Sequence, residues 1–236
     1  VKDVVLEKER KLKESMKLMG LSNYLHWMAW FLKYFCFLAV SIAIMTLFFH
    51  LNVGKGALIN YTHFTVTFVF LLLYAIATIM FCFAISTFCS KASGGAAAAG
   101  ILYLITYIPF FFVQFRLDEI NASQRTGMSF ISNLAMALGC VEISMQEAVG
   151  VGVQWSNIAS PVNADTQFTM LHVFIILILD AIIYGLITWY FDAVLPGDFG
   201  VPKPLYFPFT KSYWCGSCTE VVDDHPEESL DYANVP

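Results

Sequence analysis

The chain has 236 residues, of which 58% are hydrophobic, 16% aromatic and only 13% charged, with a mean hydropathy of +0.66. That balance excludes a water-soluble globular domain of ordinary composition and gives no reason to expect a nucleic-acid partner. The formal charge of −5 hides two unlike ends: seven of the thirteen Lys and Arg fall in the first 33 residues, whereas Glu220, Asp223, Asp224, Glu227, Glu228 and Asp231 crowd the last stretch.

Val1 is not an initiator Met, and nothing near it reads as a cleavable signal, so a piece of a longer polypeptide is the simplest expectation. Residues 1–22 read as a two-sided helix. Val5, Leu12, Met16 and Met19 fall at helical spacing on one face, and Glu7–Lys11 and Glu9–Lys13 are i,i+4 pairs on the other. Gly20 followed by Leu21 predicts a left-handed stop, after which Ser22 or Asn23 can cap the next helix. Two readings of this opening helix stay open: an interfacial anchor drawn to anionic lipid, or a docking element for another domain.

Four segments then reach the ~20 apolar residues needed to cross ~30 Å of hydrocarbon. Residues 27–49 carry only Lys33, 64–88 and 94–115 carry no charge, and 169–191 carry only Asp180. Lipid offers backbone N–H and C=O groups no hydrogen-bond partner, so each must be a helix. The fold class is therefore all-α integral membrane. Lys33 lies near enough to the start of its span for its long stem to reach the interface.

Four crossings leave both ends on one side, and positive residues choose the side. With the amino end inside, Lys2, Lys8, Arg10, Lys11, Lys13, Lys17, Lys91, Lys203 and Lys211 are cytoplasmic, against Lys55, Arg116 and Arg125 outside. Both ends are thus expected in the cytoplasm, for a chain in the plasma membrane or an intracellular vesicle membrane.

The run from Gly94 to Gly100 has almost no side-chain bulk, which predicts a tight helix contact, and Pro109 should kink the same helix. The 53 residues from Arg116 to Phe168 exceed a simple turn. Within them Met128 to Val141 are uncharged and too few to cross, so a helical hairpin re-entering the outer leaflet is expected, returning through Gly150, Gly152 and Pro161.

Asp180 lies midway along the last span, where a charge costs ~2.5 kcal/mol or more. It must find a partner or stay protonated: either a proton or substrate contact, or a neutral acid or polar clasp to a neighbouring helix. His172 reads as interfacial. Of six cysteines only Cys140 falls outside, so no disulfide framework is expected, and the Cys215–Cys218 pair lacks the further ligands zinc needs. Asn60 and Asn121 open glycosylation sequons close to spans, where poor use is expected. No metal cluster, catalytic triad or nucleotide-binding loop is found in the sequence.

The stretch from Glu7 to Glu14 with Met16-Lys17-Leu18-Met19-Gly20-Leu21 resembles the cytoplasmic helix of ABC transporters of subfamily A. The likeness continues through Ser86 to Ala92, Tyr107-Ile108-Pro109, Gly152 to Trp155, Ser160 to Asn163, Tyr184 to Tyr190, Ala193 to Pro202 and Ser212 to Gly216. Within the subfamily it is similar to the lipid-exporting, surfactant-type branch. The resemblance implies an ABC-2 type exporter membrane domain: the later part of the first transmembrane domain, in a chain that elsewhere holds nucleotide-binding domains with ATP and Mg and a second membrane half. It implies that residues 7–21 act as a coupling helix, with Met16, Met19, Gly20 and Leu21 at the docking surface and Lys11 and Lys13 adding charged contacts. It also implies that Met128 to Gln146 are the extracellular re-entrant pair, and that 192–236 lead as a linker toward the absent nucleotide-binding domain. Membrane lipid is the cargo such a relative moves, and the catalytic site lies outside this chain. Two other classes compete: a free-standing four-span structural or adaptor protein, which would usually brace its outer loop with paired cysteines, and a small channel, which would need a continuous polar path.

Overall fold

The computed structural model describes residues 1–10, 12–51, 57–116, 120–161, 168–195 and 205–207, without the side chains of residues 14, 17 and 122. Among the described residues there are eight helices and no strand: α1 Lys2–Glu9, α2 Leu12–Leu18, α3 Asn23–His50, α4 Phe64–Phe88, α5 Ala92–Gln114, α6 Ala122–Met128, α7 Ser132–Ala148 and α8 Met170–Val194. Four of them, α3, α4, α5 and α8, are long and apolar enough to cross a membrane. Leu205, Tyr206 and Phe207 form one turn in a separate compact unit, Lys203–Pro236.

Each long helix begins where a side chain or a neighbour satisfies its first N–H groups. Ser22 Oγ accepts from the Leu25 N–H at 3.4 Å, which starts α3 four residues before the apolar run proper. His63 Nδ1 accepts from the Thr65 N–H at 3.3 Å to open α4. α8 continues to Val194, past the last apolar stretch, and so carries Asp192 inside its final turn.

The layers sort by burial of these helices. α4 is central, with 44% of its apolar window buried, against 33% for α8, 17% for α5 and 11% for α3. Its Val66, Phe70 and Leu71 meet Val173, Phe174 and Leu177 of α8, with the Phe70 and Phe174 rings stacked at 6.4 Å. α7 completes this core through Ala135, Leu138 and Ile143. The approach depends on Gly139, where a Cβ would stand 2.6 Å from the Phe70 ring and 3.1 Å from Val173.

The hairpin α6–α7 enters from the end of the bundle opposite α1, and its tip reaches deep. Asn133, 3% exposed, donates from Nδ2 to Thr106 Oγ1 (2.7 Å) and the Tyr103 carbonyl (3.1 Å), and accepts from Tyr74 OH at 2.8 Å. Tyr74, itself in contact with Tyr103 OH, lies ten residues into α4, about 15 Å from the helix start at 1.5 Å per residue. One amide thus ties three helices together.

One expectation is met at a single point and another needs correction. The small-residue run makes a tight helix contact at Gly95, packed against Cys89 and against Val5 of α1. Gly94, Ala97, Ala98 and Gly100 are exposed on the described chain. The opening segment is two helices, broken at Arg10, and its four apolar residues do not share a face: Val5 is fully buried, Leu12 is 47% exposed and Met19 79%.

Candidate functional site at the α1 end of the bundle

α1 owes its place to charge. Lys8 Nζ donates to the Thr87 carbonyl in the last turn of α4 at 3.1 Å, and the Ala92 N–H that opens α5 donates to Glu9 Oε2 at 2.8 Å. A cation therefore meets the negative end of one helix dipole and a carboxylate the positive end of the next. The Trp30 Nε1–H donates to Glu7 Oε2 at 2.9 Å, and Tyr34 OH donates to Asp3 Oδ2 at 3.1 Å, which binds α1 to α3 as well. Val4 seals the contact against Ile79 and Phe83.

α2 is held by Asp192. Lys13 Nζ donates to Asp192 Oδ1 at 2.5 Å, while Asn23 Nδ2 (2.7 Å) and Trp27 Nε1 (3.1 Å) donate to Oδ2. Both charged side chains are 13% exposed, and the Lys13 ammonium also lies 5.0 Å from the centre of the Trp27 ring. Charge-assisted bonds in such a half-dry place are worth roughly twice neutral ones. The cluster joins α2, the first turn of α3 and the last turn of α8.

The residues expected at the coupling surface separate into two groups. Met16 and Leu21 line a hollow of about 370 Å³ against Glu7, His26 and Trp30. Met19 points outward, next to Leu18, which is 91% exposed. Gly20 has φ of +92° and the Leu21 N–H donates to the Met16 carbonyl at 3.1 Å, the left-handed cap that ends α2. Lys11 lies outside the described residues, as do the Glu7–Lys11 pair, the Cys215–Cys218 pair and the acidic tail. The Glu9–Lys13 pair gives way to the bonds to Ala92 and Asp192. Leu18 and Asp192 were missed. An acid in the last turn of a helix opposes the dipole, and that is the signal that marks Asp192 as needing a partner.

Asp180 is 1% exposed, and its Oδ2 has no hydrogen-bond partner among the described residues. A clasp through that oxygen is therefore not made. Lys33 is exposed, with its ammonium 4.3 Å from the centre of the Trp30 ring, and His172 Nδ1 pairs with Thr169 Oγ1 at 2.8 Å at the start of α8.

The opposite end is framed by Glu147. Its carboxylate accepts from the backbone N–H groups of Asn60 (3.2 Å), Tyr61 (3.1 Å) and Thr62 (2.5 Å). Burial alone would push this carboxyl up, but these donors outweigh it and hold it below its ordinary range. Glu142, buried one and a half turns earlier, moves the other way: burial raises it, and Arg125 and Gln146 only partly offset that. Thr62 Oγ1 accepts from the Val153 N–H (3.0 Å) and the His63 N–H donates to the Val153 carbonyl (2.9 Å), so the segment after α7 is stitched to the approach to α4.

Residues 1–190 match the family model described as ABC-2 family transporter protein. The chain is 48% identical over 96% of its length to phospholipid-transporting ATPase ABCA3 of Homo sapiens. It is 41% identical over 92% to ATP-binding cassette sub-family A member 2 of Homo sapiens, and 42% identical over 92% to retinal-specific phospholipid-transporting ATPase ABCA4 of Bos taurus. It spans 13%, 9% and 9% of those relatives' own lengths. A helical membrane-domain fold, a family match over most of the chain and these three relatives from subfamily A agree: the chain belongs to the ABC-2 transporter family, as a membrane domain of the subfamily A type.

Proposed function

We propose that the chain forms part of the membrane domain through which a larger ATP-driven transporter moves phospholipid or sterol, with α1–α2 receiving the stroke of a nucleotide-binding domain of the same polypeptide. The observation that carries this reading is the exposed apolar tip Leu18–Met19, at the end of a segment otherwise bonded into the bundle. Two of the relatives, both phospholipid-transporting ATPases, support an ATP-driven phospholipid cargo. ATP and Mg belong to the nucleotide-binding domains; what this chain contributes is transmission.

The α1 end is assigned to the cytoplasm. Support comes from Lys2, Lys8, Arg10, Lys13 and Lys91 at that end against Arg116 and Arg125 at the other. Displacement of the tip is passed by Lys13 through Asp192 to α8 and by Glu7 through Trp30 to α3. These helices then shift against a second membrane half and change the groove that meets lipid. Met16 and Leu21 support the tip from beneath, and Lys11 adds charge toward the partner domain or headgroups.

The test is Leu18→Ser with Met19→Ser in the full-length protein. Losing two apolar docking contacts should lower lipid-stimulated ATPase activity about tenfold while membrane expression is unchanged. Full stimulation in that double variant overturns the docking role.

A further inference from the structure

His50 closes α3 at the hairpin end of the bundle, and its half-buried ring faces two carbonyl groups. Nδ1 lies 3.0 Å from the Thr46 carbonyl oxygen, one turn back in the same helix, and Nε2 lies 3.2 Å from the Thr62 carbonyl oxygen, two residues before α4. The Phe64 ring, 5.3 Å away and tilted by 67°, packs against the imidazole. A carbonyl oxygen can only accept, and a neutral imidazole has one N–H to give. In the neutral ring one carbonyl therefore meets a nitrogen lone pair, and only the imidazolium donates to both. A cation also suits the last turn of α3, at the negative end of that helix's dipole. The other histidines at this end are built differently. His63 Nδ1 accepts from the Thr65 N–H at 3.3 Å and caps α4, so a proton on that nitrogen breaks the cap. His172 Nδ1 meets the Thr169 hydroxyl, which can serve either form.

From this geometry we infer that His50 is a proton-operated latch: protonated, it ties the end of α3 to Thr62, and deprotonated, it releases that end. Thr62 is itself fastened, its N–H by Glu147 at 2.5 Å and its hydroxyl by the Val153 N–H at 3.0 Å. The other titratable groups at this junction, among the described residues, are Glu147, the exposed Tyr61 and His63. Carboxylate and imidazolium hold opposite ends of one residue, the first on the Thr62 N–H and the second on its carbonyl, each a charge-assisted bond. The second carbonyl bond exists only with the proton. The latch therefore closes as pH falls, and opens as pH rises through the range in which histidine changes charge. Glu7 acts on α3 through Trp30 at the other end of the helix, so a closed latch restrains the helix that is pulled. That acid on the non-cytoplasmic side slows turnover rests on the reading in which α1 is cytoplasmic and α1–α2 transmits the stroke; the latch itself needs neither.

The experiment is amide exchange on the full-length protein in nanodiscs without ATP, at about pH 7.5 and about pH 5.5, with rates corrected for the intrinsic pH dependence of exchange. This interval lies above the acid range in which Glu147 lets go. The last turn of α3 through Leu51 should exchange about fivefold more slowly in acid, one hydrogen bond being gained. His50→Gln should abolish the difference, because whatever bonds an amide makes do not change with pH, and His172→Gln should keep it. Equal exchange at the two pH values, or a difference that persists in His50→Gln, overturns the latch. In proteoliposomes, with turnover driven by external ATP, acidifying the interior should slow lipid-stimulated ATPase activity about threefold in the natural protein and leave His50→Gln unchanged. Unaltered turnover beside a working exchange response overturns the restraint on α3 and not the latch, whereas full stimulation in Leu18→Ser with Met19→Ser overturns the coupling reading alone.

Discussion

The two ends of the bundle are fastened by different chemistry. At the α1 end most fastenings join side chains from separate helices, Lys13, Asn23 and Trp27 on Asp192, Trp30 on Glu7 and Tyr34 on Asp3, with two reaching backbone, Lys8 to the Thr87 carbonyl and Glu9 to the Ala92 N–H. At the hairpin end one carboxylate holds three consecutive backbone N–H groups, and Val153 is bonded through its N–H to the Thr62 hydroxyl and through its carbonyl to the His63 N–H. Side-chain pairs can exchange partners as helices slide, whereas a carboxylate threaded into backbone N–H groups fixes the chain itself. The first end is suited to transmit movement and the second to hold position.

The sharpest way to break this contrast is Gly152→Ala. Gly152 has φ of +66°, and a Cβ there would collide with the backbone of Tyr61 and Thr62. Strain and collision together should cost ~3 kcal/mol or more, read as a large fall in thermal stability with the hairpin end exchanging amides first. A stable, fully protected Ala variant would show that this end is no rigid frame.

Asp192→Asn comes next. Shape is kept but the ion pair is lost and Lys13 is left half-buried without its charge partner, at a cost of ~2 kcal/mol. Amide exchange in α2 should quicken about thirtyfold with α7 unaffected. Equal quickening at both ends would mean the ends are not independent.

The pH response separates them more finely. The Glu147 carboxyl lies below its ordinary value when folded, so its contribution is complete above the unfolded pKa and disappears as pH falls through the folded one. The N–H groups of Tyr61 and Thr62 should therefore lose protection only in acid, below the ordinary carboxylate range, and Glu147→Gln should show that loss already at neutral pH. Protection that is flat with pH would remove Glu147 from the frame.

Asp180→Asn should have the smallest effect. It is close to isosteric at a site where one oxygen is unpartnered, so stability should change by less than ~1 kcal/mol. Lost turnover at normal expression would instead make Asp180 a proton or substrate contact.

The four long helices could be read from the sequence because hydrocarbon sets a length and a composition that few other structures satisfy, and the left-handed stop at Gly20 because it depends on one residue. The partners of Glu7, Glu9 and Lys13 could not. Glu9 turns from its i,i+4 neighbour to the N–H of Ala92 because an unsatisfied helix start 83 residues away offers a better site, and nothing local announces that. The exposed tip had a similar blind spot. Helical periodicity put Met16 and Met19 on one face, but the break at Arg10 and the cap at Gly20 turn Met19 outward and leave Met16 in the hollow beside Trp30.

Only Met19, Gly20, Leu21 and Ser22 separate α2 from α3. A joint of four residues with one free swivel leaves little slack, so whatever pushes on the tip reaches α3 as torque within a single turn. Lengthening that joint by even two glycines would turn the crank into a loose hinge, letting α2 rock while the first long helix stays still.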